Sequence, residues 1–177
     1  MQNKPDYKTR LEQIKAFAFD VDGVFTNGMV LVSENGDLLR SYNAKDGHAI
    51  RAAVTAGYPV AIITGGSSAT IEKRFRPLGV NDIYLKSFYK LPDFDDFCKR
   101  RQLLPHEVLV MGDDIPDIEI MEACGVACCP ADAVPEVKAA ADYVSSLTGG
   151  SACVRDVVMQ VMKVQGRWGR HVELASQ

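Results

Sequence analysis

Five short apolar runs punctuate the chain, at 16–19 (AFAF), 60–63 (VAII), 82–85 (DIYL), 108–111 (VLVM) and 125–129 (GVACC). Each is short and flanked by polar or turn-forming residues, so each predicts a strand. Between them apolar residues return every three or four positions. This spacing predicts helices over about 47–56, 67–77, 91–101, 116–123 and 134–141. A last helix is predicted over 151–164, with Val154, Val157, Val158, Val161 and Met162 on its inner face. Strands that are apolar throughout are buried on both faces. Alternating with helices, they predict an α/β fold in three layers, a Rossmann-like parallel sheet covered on both sides.

One segment breaks this rhythm. Residues 29–32 (MVLV) and 38–42 (LLRSY) flank Ser-Glu-Asn-Gly-Asp, and Asn35-Gly36 supplies the positive backbone angles of a tight turn. A β-hairpin inserted over about 28–42 is therefore predicted. Its first arm is apolar on both faces, and one domain's core covers only one of them, so the other invites burial against another chain. The chain of 177 residues is long enough for one full core. One domain is expected over 14–164, with terminal extensions at 1–13 and 165–177 and no room for a separate cap domain.

Composition narrows the classes of partner. With 20 basic against 23 acidic residues, the chain has no electrostatic footprint for nucleic acid or an anionic membrane surface. No apolar run approaches the roughly 20 residues of a membrane span, and the polar start lacks the apolar stretch of a signal peptide. A cytoplasmic protein acting on a small molecule is expected. The five cysteines lack CxxC spacing and read as reduced, mostly buried thiols, and the three histidines (His48, His106, His171) have no ligand spacing.

In a parallel α/β sheet, ligands bind beyond the carboxyl ends of the strands. Those positions are where the chemistry-bearing residues cluster. Asp20-Val21-Asp22-Gly23 follows the first run, and two carboxylates at the end of a buried strand call for a cation. An extended chain would point both side chains the same way; a turn at Asp22 would instead free its carbonyl for a metal and its carboxyl for a substrate. Gly112-Asp113-Asp114-Ile115-Pro116-Asp117 follows the fourth run and adds oxygen donors of the kind hard cations prefer, with one aspartate also placed to cap a helix. Thr64-Gly65-Gly66 offers a hydroxyl and backbone amides to phosphate oxygens, and Lys90 a compensating positive charge.

The order strand-DxD, strand-TG, Lys, strand-GDDxxD resembles the haloacid dehalogenase superfamily. The stretches FDVDGV (19–24), YNAKDGH (42–48), IRAA (50–53), IITG (62–65), LVMGDDIPD (109–117), ADYV (141–144) and Gly149-Gly150 are similar to the 3-deoxy-D-manno-octulosonate 8-phosphate phosphatases. That resemblance covers about 14–164. It implies a Mg²⁺-dependent phosphatase of lipopolysaccharide biosynthesis that forms an aspartyl-phosphate. Asp20 would be the nucleophile and a metal ligand, Asp22 the general acid and base with its carbonyl on the metal, and Asp113 the remaining protein ligand. Asp22 would have to start protonated, which nearby carboxylates would favour. Thr64, Gly65 and Lys90 would hold the phosphate, with Asp114 and Asp117 as supporting acidic groups. Asn43, Asp46, Gly47, Arg51 and Arg74 are the candidates for the sugar, the two arginines for its carboxylate. In that family four hairpins form a barrel and neighbouring chains complete each site, so a homotetramer is expected.

Two departures stand out. Gly66 replaces an arginine expected after Thr-Gly, and Ser151-Ala152 replaces Arg-Gly after Gly149-Gly150. Competing readings are a nonulosonate 9-phosphate phosphatase or broad-specificity relative, a silent tetramerisation module, and a phosphoacceptor of the response-regulator kind.

Overall fold

The computed structural model describes residues 6–169. His171 and the outer ends of the two extensions lie outside the described residues. A short helix α1 (Tyr7–Arg10) precedes β1 (Ala16–Phe19), the hairpin strands β2 (Leu31–Val32) and β3 (Leu38–Leu39), and α2 (Ala44–Thr55). Then come β4 (Val60–Ile63), α3 (Ala69–Phe75), β5 (Asp82–Tyr84), α4 (Lys90–Arg101) and β6 (Val108–Met111). The chain ends in α5 (Ile118–Ala123), β7 (Val126–Cys129), α6 (Pro135–Ala140), β8 (Tyr143–Val144) and α7 (Cys153–Val164). Six strands form one parallel sheet in the order β5-β4-β1-β6-β7-β8. All five predicted strands are present; β8, too short and too polar to stand out as an apolar run, was not among them.

The three layers follow from strand alternation. Phe17, Phe19, Ile62, Leu109 and Met111 point to the face covered by α2, α3 and α7. Ala16, Ala18, Ala61, Val108 and Val110 point to the other, where α4, α5 and α6 pack. The small residues on that second face leave depth that Phe94 and Phe97 of α4 fill, all of them fully buried. The inner face predicted for α7 is the observed one, with Val154, Val157, Val158, Val161 and Met162 buried.

Helix α2 begins three residues before its predicted start because Asn43 caps it, its side chain accepting from the Lys45 amide. The hairpin is present, with Leu31 opposite Leu39 and Val32 opposite Leu38. Its turn differs from the expected one: only Gly36 has a positive φ, and its amide donates to the Ser33 carbonyl while Ser33 donates to Asp37. The longer loop Ser33–Asp37 needs just one left-handed residue where a two-residue turn needs two. Met29, Leu31 and Val32 are 72%, 67% and 63% exposed, so among the described residues neither the sheet nor a helix covers this ribbon. Cys98, Cys128, Cys129 and Cys153 are buried, as a reading of small hydrophobes requires. Among the described residues no helix is long and apolar enough to cross a membrane.

Candidate active site

The site forms where β1, β4, β5 and β6 end at the centre of the sheet. β1 stops at Phe19, but the Asp20 amide still donates to the Met111 carbonyl at 3.1 Å, locking the Asp20 loop to the Gly112 loop. The chain then turns rather than running on. The amides of Val24, Phe25 and Thr26 all donate to the Val21 carbonyl, and Gly23 takes φ +88°. Of the two geometries open for Asp20 and Asp22, the turn at Asp22 is the one adopted. Gly23 is required twice over, because a Cβ there would stand 2.0 Å from an Asp113 carboxylate oxygen. Gly149 and Gly150 support the same turn from behind. A Cβ on Gly149 would lie 2.0 Å from the Gly23 carbonyl oxygen, and the Gly150 amide donates to Val24.

Lys90, the first residue of α4, is buried and reaches two carboxylates. Its Nζ donates to Asp20 Oδ1 at 2.6 Å and to Asp117 Oδ1 at 2.5 Å. Burial works against the ammonium, but the two aspartates outweigh it and hold its pKa above the usual lysine value. Asp117 is also the organiser of its own loop, since its Oδ2 accepts from the amides of Asp113 and Asp114 at 3.0 and 3.3 Å. Gly112 makes that fold-back possible: a Cβ there would lie 2.3 Å from Asp117. Asp114 is exposed and accepts from the Ile115 amide as a cap.

Thr64 is buried, its amide held by Tyr84 and its carbonyl by Ser87, which ties the β4 and β5 loops together. Asp20, Asp22, Thr64, Gly65, Lys90, Asp113, Asp114 and Asp117 thus line one cavity of about 360 Å³. Two of its walls lie outside the named motif residues, though they follow β5, where the strand-end rule points. Ser87 is buried with a side-chain oxygen that has no partner among the described residues, and Phe88 packs near Gly65 at the rim. Beside the cavity stands an unanticipated residue, Arg40 of the hairpin, whose Nε and Nη2 pair with the two Asp22 oxygens at 2.7 and 2.9 Å. Its only signal in the sequence was a lone cation in the second hairpin arm.

Carboxylates crowd around Asp20 and Asp113, whereas Asp22 faces the Arg40 guanidinium. Burial raises the Asp20 pKa to about 7 despite the pull of Lys90, with Asp117 adding repulsion. Burial, then repulsion from Asp20, Asp117 and Asp114, raises Asp113 to about 8. Among the described residues, Asp20, Asp113 and Asp117 offer carboxylate oxygens within 4.8 Å of one another. One ammonium does not neutralise three carboxylates, and the cluster consists of hard oxygen donors. The donor set therefore fits a hard divalent cation, with Gly23 providing the clearance beside Asp113. Asp117 has both oxygens engaged by Lys90 and amides, which leaves Asp20 and Asp113 as the better-placed carboxylates.

The sugar candidates do not gather in this cavity. Asn43 caps α2 and its amide donates to the Gly150 carbonyl, beside a second cleft shared with Tyr42, Gly149 and Ser151. Gly47 leaves room for Arg74, since a Cβ there would lie 2.4 Å from the guanidinium, which stands 5.6 Å from the Tyr42 ring centroid. Asp46 and Arg51 are drawn elsewhere. Asp46 is fully buried and accepts from the Arg155 amide at 2.7 Å, capping α7 from outside because Ala152 has no capping side chain. Arg51 donates to the Pro77 carbonyl. The physical reason is that neither residue lies at a strand end: both sit within α2, and their reach is set by its helical register.

Known proteins carry the same pattern. The haloacid dehalogenase-like hydrolase family profile matches residues 78–152. A 3-deoxy-D-manno-octulosonate 8-phosphate phosphatase of Salmonella typhimurium is 36% identical over 163 residues, 92% of this chain and 87% of that protein. The crystal structure of the Yersinia pestis phosphatase of that name superposes with a TM-score of 0.90 at 32% identity, covering 92% of this chain and 88% of that one. The Moraxella catarrhalis phosphatase, solved with magnesium, phosphate and KDO, gives 0.87 at 29% identity over 90% and 91%. With its parallel sheet, its Asp-x-Asp turn and its lysine-bridged aspartates, this chain belongs to the 3-deoxy-D-manno-octulosonate 8-phosphate phosphatase family of haloacid dehalogenase-like hydrolases.

Proposed function

We propose that the protein hydrolyses the phosphate ester of 3-deoxy-D-manno-octulosonate 8-phosphate with Mg²⁺, through an aspartyl-phosphate on Asp20. The observation that carries this reading is the Lys90 bridge, which holds Asp20 at the cavity floor with Asp113 and Thr64 beside it. Asp20 and Asp113, with the Asp22 carbonyl, would hold the cation, which when bound neutralises phosphate charge and so lets an anionic carboxylate attack. An Asp20 oxygen bonds to phosphorus as the bond to the sugar oxygen breaks, and Asp22 supplies that oxygen with a proton. Water then releases phosphate, its proton passing to Asp22. Thr64, Gly65, Lys90 and the unpartnered hydroxyl of Ser87 line the cavity where the transferring group would rest. The exposed hairpin supports a homotetramer in which neighbouring chains exclude water from an otherwise open site.

The test is phosphate release from octulosonate 8-phosphate and nonulosonate 9-phosphate side by side, for the wild type and Asp20→Asn. Preferential turnover of the first is expected, with Asp20→Asn reduced on the order of a thousandfold or more. Near wild-type release by Asp20→Asn would overturn the nucleophile, and preference for the nine-carbon ester would overturn the substrate.

A further inference from the structure

We propose that Arg40 is a positioning residue for Asp22 that serves the hydrolytic half of the reaction; this rests on the phosphatase reading above. Its Nε and Nη2 donate to the two Asp22 oxygens, and Nη1 donates to the Leu38 carbonyl at 3.4 Å. Two parallel bonds from a planar guanidinium fix both the place and the plane of a carboxylate, which a lysine does not do. The Arg40 side chain is 3% exposed, although the ribbon that carries it is open to solvent, while Asp22 is 31% exposed toward the cavity. The guanidinium borders the bare backbone of Gly66, where a Cβ would stand 3.5 Å from Nη2. The glycine at 66 therefore leaves open a space that Arg40 borders. Lys90 meanwhile is committed to Asp20 and Asp117, so the two cations serve different aspartates.

The hydrolytic half needs Asp22 as an aimed carboxylate. The water oxygen bonds to phosphorus while the bond between phosphorus and the Asp20 oxygen breaks. The electrons of that bond return to Asp20 as a carboxylate, the water proton passes to Asp22, and inorganic phosphate leaves. A bidentate guanidinium holds Asp22 in the orientation this step uses. The first half places no such demand when the leaving group is a stable phenolate, which departs without a proton. An activated aryl phosphate therefore separates the two halves.

The experiment is rapid-quench turnover of p-nitrophenyl phosphate with Mg²⁺ by the wild type, Arg40→Met, Arg40→Lys and Asp22→Asn, with the phosphoenzyme trapped in acid. Arg40→Met is expected to keep the rate of the nitrophenolate burst within about threefold, to lose about tenfold or more in the steady state, and to accumulate phosphoenzyme. Arg40→Lys, keeping the charge but not the fork, should fall between. If burst and steady state fall in the same proportion, the residue merely supports the hairpin and the inference is overturned; an unchanged steady state overturns it as well. If no phosphoenzyme can be trapped from any of the four proteins, including Asp22→Asn, the phosphatase mechanism itself fails and the inference falls with it.

Discussion

Asp20 and Asp113 meet where burial raises both pKa values, to about 7 and about 8, with neighbouring carboxylates adding to the shift. In the unfolded chain both would ionise near the ordinary carboxylate value of about 4. Between these limits the folded protein binds more protons than the unfolded one, so stability falls as pH rises. The contribution of the pair is fully present below about pH 4 and is lost on passing through about 7 to 8. A bound divalent cation offsets both the cost of burying these carboxylates and the repulsion between them. The chelated protein should therefore lose at least about 4 °C of thermal midpoint between pH 5 and pH 8.5. Added Mg²⁺ should raise the midpoint more at pH 8 than at pH 5.5. Differential scanning calorimetry in matched buffers checks both, and a flat profile for the chelated protein would show that the carboxylates are not in conflict.

At the level of elements, α7 and α2 are tied together by Asp46, whose carboxylate replaces the cap that Ala152 lacks. Burial raises its pKa against the pull of the Arg155 and Ala152 amides, so the bond is made at a desolvation cost. Asp46→Ala should cost about 1–2 kcal/mol in urea unfolding, the usual range for a lost N-cap. It should leave kcat/KM within about threefold, because Asp46 does not line the site cavity. A large fall in kcat/KM with stability intact would restore the substrate-contact role that its motif suggests. The hairpin behaves differently: β2 and β3 pair over only two residues each, which is marginal for an isolated ribbon.

For the whole molecule, that exposed ribbon is the feature a single chain leaves unresolved. Four such hairpins closing into a barrel would pair their edges and bury Met29, Leu31 and Val32. Val30→Glu with Val32→Glu should split the proposed tetramer, and the loss of the neighbouring cover that it implies should lower kcat/KM by about tenfold or more. Light scattering in parallel with kinetics is the measure. Full activity from a monomer, in wild type or double variant, would remove the hairpin from the catalytic account.

The parallel sheet, its three layers and the clustering of chemistry at the strand ends were legible in the sequence because they depend on local pattern. Runs such as VLVM at 108–111 admit no exposed face, and an acidic group after a buried strand has few places to go. Asp20, Thr64, Lys90 and Asp113 were found by that logic, and the structure brings them to one cavity. The contacts made across long sequence separations were not legible. Arg40 reaches Asp22 because the hairpin folds back over the Asp-x-Asp turn, and Asp46 leaves the site for α7 because helix register turns its carboxylate toward Arg155. Gly23, Gly112 and Gly149 follow the same rule, since the side chain each must lack is decided by the loop lying against it. Periodicity dictates which face of an element is buried; which partner lies across that face is decided only when the whole chain has packed.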